Sequence, residues 1–226
     1  MIKNRILSKL ILASIILLPT SVFADANKGF EGFYLGIQLG AVEGITKHKD
    51  NNDWWSSDYR SEERTKKSSS LGLKLGYDKL EGSLLYGVLG EGSILSLNTE
   101  KEFLTSYTVG SKINALGSVR AKAGIISDKL SVFGTGGLAL ANIKDKYFDN
   151  GTYKYNEDGR NYGYVVGLGA SYLITDNRSI ELDVSRYVFG KKNHESTSDD
   201  VGTPYSFYFE QSNVINSVNV SYNIKF

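Results

Sequence analysis

The sequence predicts an all-β protein, an eight-stranded antiparallel up-and-down transmembrane β-barrel with long extracellular loops and short periplasmic turns. Three observations lead there. Eight segments alternate apolar and polar residues with a period of two. The connections between those segments are alternately short and long. Beyond the first two dozen residues, no apolar run reaches the about 18–20 residues of a spanning helix, so any membrane crossing must use strands.

The first residues are read separately. Lys3, Arg5 and Lys9 precede an apolar run from Leu10 to Phe23, and Ala24 offers a cleavage site, with Ala26 as the second choice. That layout is a secretory signal peptide, which divides the chain into a signal over 1–24 and a barrel domain over 25–226. Its removal takes three cations and no acid, moving the formal charge from +1 to −2. A nearly neutral chain gives no support to nucleic-acid binding. There is no cysteine, which excludes disulfide staples and thiolate metal sites.

The strands follow in order. GFYLGIQLGA sets Phe33, Leu35, Ile37 and Leu39 against Gly36, Gln38 and Gly40, and LGLKLGYDKL sets Leu71, Leu73, Leu75 and Tyr77 against Gly72, Lys74, Gly76 and Asp78. LLYGVLGEGSIL carries Glu91 and Ser93 on its polar side. In GSVRAKAGI, Val119, Ala121, Ala123 and Ile125 oppose Ser118, Arg120 and Lys122. SVFGTGGLALANI is too rich in glycine to reveal its facing. YGYVVGLGASYLI has Tyr164, Val166, Leu168, Ala170, Tyr172 and Ile174 on the apolar side, and SIELDVSRYVF has Ile180, Leu182 and Val184 against Glu181 and Asp183. The chain closes on NSVNVSYNIKF, where Val218, Val220, Tyr222, Ile224 and Phe226 alternate with polar residues.

Short links, 78–83, 126–130 and 175–177, are interleaved with four long polar stretches, 43–70, 96–112, 144–161 and 190–212. That rhythm is an up-and-down meander with its long loops at one end, as outer-membrane barrels have. A soluble ligand-binding barrel would show the same period with inverted faces. The polar side decides against it, because it mixes long charged chains with many glycines and so suits a crowded interior. Aromatics such as Tyr164 and Tyr172 bracket the apolar side. Eight residues, tilted by about 40°, span about 20 Å, near the expected height of a lipid-facing band.

Arg120 and Lys122 then point inward. On the lipid side each would cost about 2–4 kcal/mol near the midplane. Inside they can meet Glu91, Glu181 and Asp183, which the alternation also turns inward. An internal network of these five residues is expected, since unpaired charge in a tight interior is expensive. Eight strands leave a lumen just wide enough for side chains to fill, so an open pore is not expected.

The stretches ALGSVRAKAGIISDKLSVFGTGGLALANIK and YVVGLGASYLITDNRSIELDVSRYVFG resemble the opacity-type and surface-antigen barrels of the OmpA-like outer-membrane β-barrel family of Gram-negative bacteria. The second matches the family pattern at Gly167, Gly169, Tyr172, Thr175, Asp176 and Asn177, and the terminal Phe226 is similar to the family's assembly signal. The resemblance implies a multi-pass protein of the outer membrane. It implies a non-enzymatic surface protein that serves envelope integrity and loop-mediated interaction or adhesion. The expected surroundings are outer-membrane lipid and lipopolysaccharide, a host or environmental surface ligand, and no partner subunit. A small porin-like channel is the alternative, and a lipid A-modifying barrel enzyme the lesser one.

The search for chemistry yields little. His194 and Ser196 resemble the pair of lipid A deacylase barrels, with Glu210 further along, but they sit in the charged stretch KKNHESTSDD outside that family's strand context. A solvated loop histidine is the expected role. His48 has no second ligand nearby, and no phosphate or dinucleotide motif occurs, so neither catalytic residues, cofactor nor metal are expected. For contact-making, Trp54 and Trp55 in the first long stretch and Tyr205, Phe207 and Tyr208 in the last are the candidates.

Overall fold

A computed structural model describes residues 28–50, 61–98, 101–103, 107–149, 152–190, 192–198 and 205–226. The signal segment 1–24 lies outside the described residues. After a single 3₁₀ turn (Lys28–Phe30) come β1 (Gly32–Asp50), β2 (Ser61–Glu81), β3 (Leu84–Asn98), β4 (Lys101–Phe103) and β5 (Tyr107–Ser127). β6 (Leu130–Asp149), β7 (Thr152–Thr175), β8 (Arg178–Phe189), β9 (Lys192–Ser198) and β10 (Tyr205–Lys225) complete the order. Every pairing is antiparallel, and β1 pairs with β10 from Tyr34↔Lys225 to Asp50↔Phe209, closing the sheet. Eight strands make the wall. β4 and β9 are short pieces paired only to β5 and β10 at the end away from the tight turns.

Those turns are two residues long, at Gly82–Ser83, Asp128–Lys129 and Asp176–Asn177. Gly82 (φ 61) and Asp128 (φ 52) occupy the first turn position with positive φ, the conformation that a primed turn needs to match the strand twist. At the opposite end the strands run further than the sequence suggests. Much of 43–70, 96–112, 144–161 and 190–212, read above as loop, is strand. These parts rise beyond the lipid-facing band, where polar side chains can face water on both sides and alternation no longer reports strand. Lys47 and Glu63, directly paired across β1 and β2, lie 3.1 Å apart there on the outside.

The band itself is apolar and exposed. On β1 it comprises Phe33, Leu35, Ile37, Leu39 and Ala41, and on β2 Leu71, Leu73, Leu75 and Tyr77. Nine tilted residues span about 23 Å, which fits a band about 25 Å tall. Phe33 and Tyr77 meet ring to ring, 4.7 Å between centroids, at the turn end, and Tyr162 and Tyr164 stand at the far end. The ambiguous β6 resolves with Val132, Leu138 and Leu140 outward and Phe133, Thr135, Ala139, Ala141 and Ile143 inward.

Candidate functional site

The site is the lumen, and it has three layers. Near the turns, Phe30, Leu85, Ile126, Phe133 and Leu173 form an apolar cluster. Toward the far end a larger one gathers Val42, Leu97, Ile113, Leu116, Ala141, Ile143, Phe189 and Ile215, among others. The ions lie between. β5 displays the order along one strand, with Ile126 in the first cluster, Lys122 and Arg120 next, then Leu116 and Ile113 in the second. A register shift between Ile113 and Ala115 changes which residues face inward, from Ile113 to Leu116, and both turn inward as a result.

The middle layer is tied across the barrel rather than along its wall. Lys74 on β2 donates to Glu181 Oε1 on β8 at 2.6 Å, and Lys122 on β5 donates to Asp78 Oδ2 on β2 at 2.9 Å. Lys122 also lies 3.8 Å from Glu181 Oε2. The Arg120 guanidinium bonds Glu91 and Tyr187, and its remaining nitrogens reach Ser185 Oγ at 2.7 Å, Asp183 Oδ1 at 3.5 Å and Ser118 Oγ at 2.9 Å. The Tyr187 hydroxyl in turn donates to Glu91. Arg120, Lys74, Glu181 and Asp183 are at most 2% exposed. The five residues that alternation turns inward thus fall into two groups in this layer, Arg120 with Glu91 and Asp183, and Lys122 with Glu181, the second joined by Lys74 and Asp78.

Several members were not singled out. Lys74 and Asp78 sit on the polar face of β2, but their partners lie on strands that are not their neighbours, and no local signal reveals such a pairing. Tyr187 and Ser185 supply neutral donors to the Arg120 group. Ring faces complete the Lys122 group, with Lys122 Nζ 4.2 Å from the Phe133 ring centroid and 5.3 Å from that of Tyr34. Lys225, opposite Tyr34 in the register, is buried with its Nζ 5.6 Å from the Phe30 ring centroid. With it, four cations (Lys74, Arg120, Lys122, Lys225) face four carboxylates (Asp78, Glu91, Glu181, Asp183) among the described residues, so the layer is neutral overall.

Inward glycines make room for these long side chains. A Cβ on Gly76 would stand 2.5 Å from the Tyr34 ring, and one on Gly169 the same distance from that of Phe133. Each ring covers the glycine directly across from it on the neighbouring strand.

The other candidates fall elsewhere. His194 and Ser196 lie on β9, not in a loop, with His194 in register with Phe209 and Ser196 with Phe207, while Glu210 pairs with Asn193. His48 is in register with Gln211 and Glu62 near the far end of β1. Among the described residues no group of His, Cys, Asp or Glu is arranged to hold a metal. Tyr205, Phe207 and Tyr208 begin β10, paired with Ser198, Ser196 and Glu195. Trp54 and Trp55 lie outside the described residues.

Comparison with known proteins places this architecture. The family model described as an outer membrane protein beta-barrel domain matches residues 10–223. The chain is 28% identical over 196 residues to the 31 kDa outer-membrane immunogenic protein of Brucella melitensis biotype 1, covering 77% of each. To the 22 kDa outer membrane protein of Rhizobium leguminosarum bv. viciae it is 27% identical over 153 residues, 67% of this chain and 63% of that one. Among solved structures, the outer membrane protein OprG of Pseudomonas aeruginosa superposes with a TM-score of 0.59 at 10% identity, over 91% of this chain and 100% of that one, a likeness of fold alone.

Proposed function

Because the chain belongs to the outer membrane protein beta-barrel domain family, we propose that it is a non-enzymatic surface protein of the outer membrane. In this reading the barrel contributes to envelope integrity, and its far end makes contact with host or environmental molecules. The observation that carries the reading is the lumen, where Lys74–Glu181 and Arg120–Asp183 cross between non-adjacent strands with an apolar layer above and below. A barrel filled in this way serves as an anchor, which leaves its outer rim to meet the surroundings. The name of the Brucella relative as an immunogenic protein supports a surface that host molecules reach.

Single-channel recording of the refolded protein in a planar bilayer tests the closed lumen. The expected result is a quiet baseline, and a reproducible unit conductance would favour the channel class instead. Incubation with lipopolysaccharide tests the absence of catalysis. Acyl release that disappears in His194→Ala would make the protein an enzyme.

A further inference from the structure

The outer wall carries a feature that neither anchoring nor contact at the rim requires. Directly paired residues on adjacent strands share a face of the sheet, and two consecutive outward rows cross β3, β5, β6 and β7. The upper row is Ile94, Ala115, Asn142 and Arg160, and the lower is Gly92, Gly117, Leu140 and Tyr162. Within them lies a cleft of about 480 Å³ whose lining includes Ala115, Gly117, Leu140, Asn142, Gly159 and Arg160.

The floor is bare. A Cβ on Gly117 would meet only the Glu91 carbonyl oxygen at 3.5 Å, and beside the cleft, on the neighbouring β3, one on Gly92 would meet nothing within 4 Å. These glycines differ from the lumen set, because no protein atom occupies the space they leave. The register shifts at Ile94/Leu97 and Ile113/Ala115 lie immediately above. A bulge locally bends and twists its strand, and here it separates the sheet's upper extension from the band below.

The walls are two-sided in chemistry. Leu140 continues the lipid-facing band through Leu138, which is 74% exposed, and Tyr162 is 71% exposed beside it. Tyrosines at such positions sit at the headgroup level of a bilayer. Arg160 stands two residues further from the turns than Tyr162, just past the apolar band, next to the amide of Asn142. Basic groups at the corresponding polar row on the opposite wall already have partners. Arg186 donates to Asn216 Oδ1 at 3.2 Å and Lys67 lies 3.9 Å from Glu43, whereas Arg160 has no carboxylate partner among the described residues.

We infer that this cleft is a binding site for a phosphorylated glycolipid of the outer leaflet. An acyl chain lies over Gly92 and Gly117 against Leu140, and a phosphate is held by Arg160 with Asn142. Arginine suits that role because its planar guanidinium matches phosphate oxygens two at a time. The occupant follows from position. The floor is continuous with the surface that lipid already covers, the Arg160 cation stands just past the apolar band, and the long-strand end faces the outside of the cell.

Native mass spectrometry of the detergent-solubilised barrel, titrated with diphosphorylated lipid A, tests the inference. One lipid A per barrel is expected to bind, with affinity falling about tenfold or more in Arg160→Ala and in Gly117→Leu, which fills the floor. Lys67→Ala, on the other wall, should leave the affinity unchanged. Dephosphorylated lipid A should bind the unmodified barrel as weakly as diphosphorylated lipid A binds Arg160→Ala. Folding of each variant is checked by heat-modifiable gel mobility. Undiminished binding in folded Arg160→Ala, or equal affinity for both lipids, overturns the site. If Gly117→Leu does not fold, Gly92→Leu serves in its place.

Discussion

Lys74 on β2 and Glu181 on β8 meet 2.6 Å apart across the lumen, each at most 2% exposed, and no strand adjacent to either carries the other's partner. A pair this deeply buried is costly to break from one side, because the survivor keeps its charge without a counterion. Losing one partner of a buried pair typically costs about 3–5 kcal/mol, while replacing both with apolar groups is often neutral. Lys74→Met should therefore destabilise the barrel by about that amount in urea unfolding from lipid vesicles. Glu181→Leu should be worse, since Lys122 also loses a neighbour at 3.8 Å. The double variant should recover most of the Lys74→Met loss. Additive losses would show that the two residues do not act as a pair.

Glycines offer a test of which face is which. Gly76→Ala places a methyl 2.5 Å from the Tyr34 ring and 2.7 Å from the Val88 carbonyl oxygen, so strand or ring must shift. Overpacking of this kind costs about 1–3 kcal/mol. Gly92→Ala enters open space on the outer wall and should be neutral or stabilising by about 0.5 kcal/mol, through reduced freedom of the unfolded chain. Unfolding midpoints of the two variants in the same vesicles give the comparison. Equal losses would mean that the inward and outward assignments are wrong.

The wall was readable because lipid on one side and a filled lumen on the other enforce strict alternation, as Leu71 through Asp78 displays. The same physics explains what stayed hidden. Leu97, Ile113, Ile143 and Ile215 are apolar yet inward, in parts of the chain that rise past the lipid band. With polar residues allowed on the outside as well, no alternation contrast marks those stretches as strand. The shift at Ile113/Ala115 moves the inward phase from odd to even residues, and a period-two reading carried through it fails. In β6, Gly134 and Gly136 face outward and Gly137 inward, so glycine alone carries no facing signal there. The ionic layer was half legible for a different reason. Alternation shows which charges point inward, but the pairing of Lys74 with Glu181 depends on the closure of the barrel.

Depth in the bilayer should set the cost of a charge on the outer wall. Leu73 faces outward in the middle of the apolar band of β2, and Ser69 faces the same way four residues further along, beside Ala41 at its edge. Arginine at a bilayer midplane costs about 2–4 kcal/mol and at the interface about 0–1. Leu73→Arg should lower stability by the first amount and Ser69→Arg by the second, read as refolding equilibria in vesicles. If both cost the same, the band is not the membrane-embedded surface.

The absence of cysteine makes the orientation directly measurable, because any introduced thiol is the sole one in the chain. Lys129 occupies the two-residue turn between β5 and β6, and Lys47 stands on the outer side of β1 beyond the band, paired to Glu63 at 3.1 Å with both side chains more than half exposed. An exposed ion pair contributes about 0–1 kcal/mol, so Lys47→Cys should fold. Lys129→Cys leaves the turn intact, since the positive φ belongs to Asp128. Short turns face the periplasm in barrels of this kind. A membrane-impermeant maleimide added to intact cells should therefore label Lys47→Cys, and should reach Lys129→Cys only after the outer membrane is permeabilised. The reverse pattern would invert the barrel, moving Arg160 and its cleft to the inner leaflet, where phosphorylated glycolipid would no longer be the neighbour.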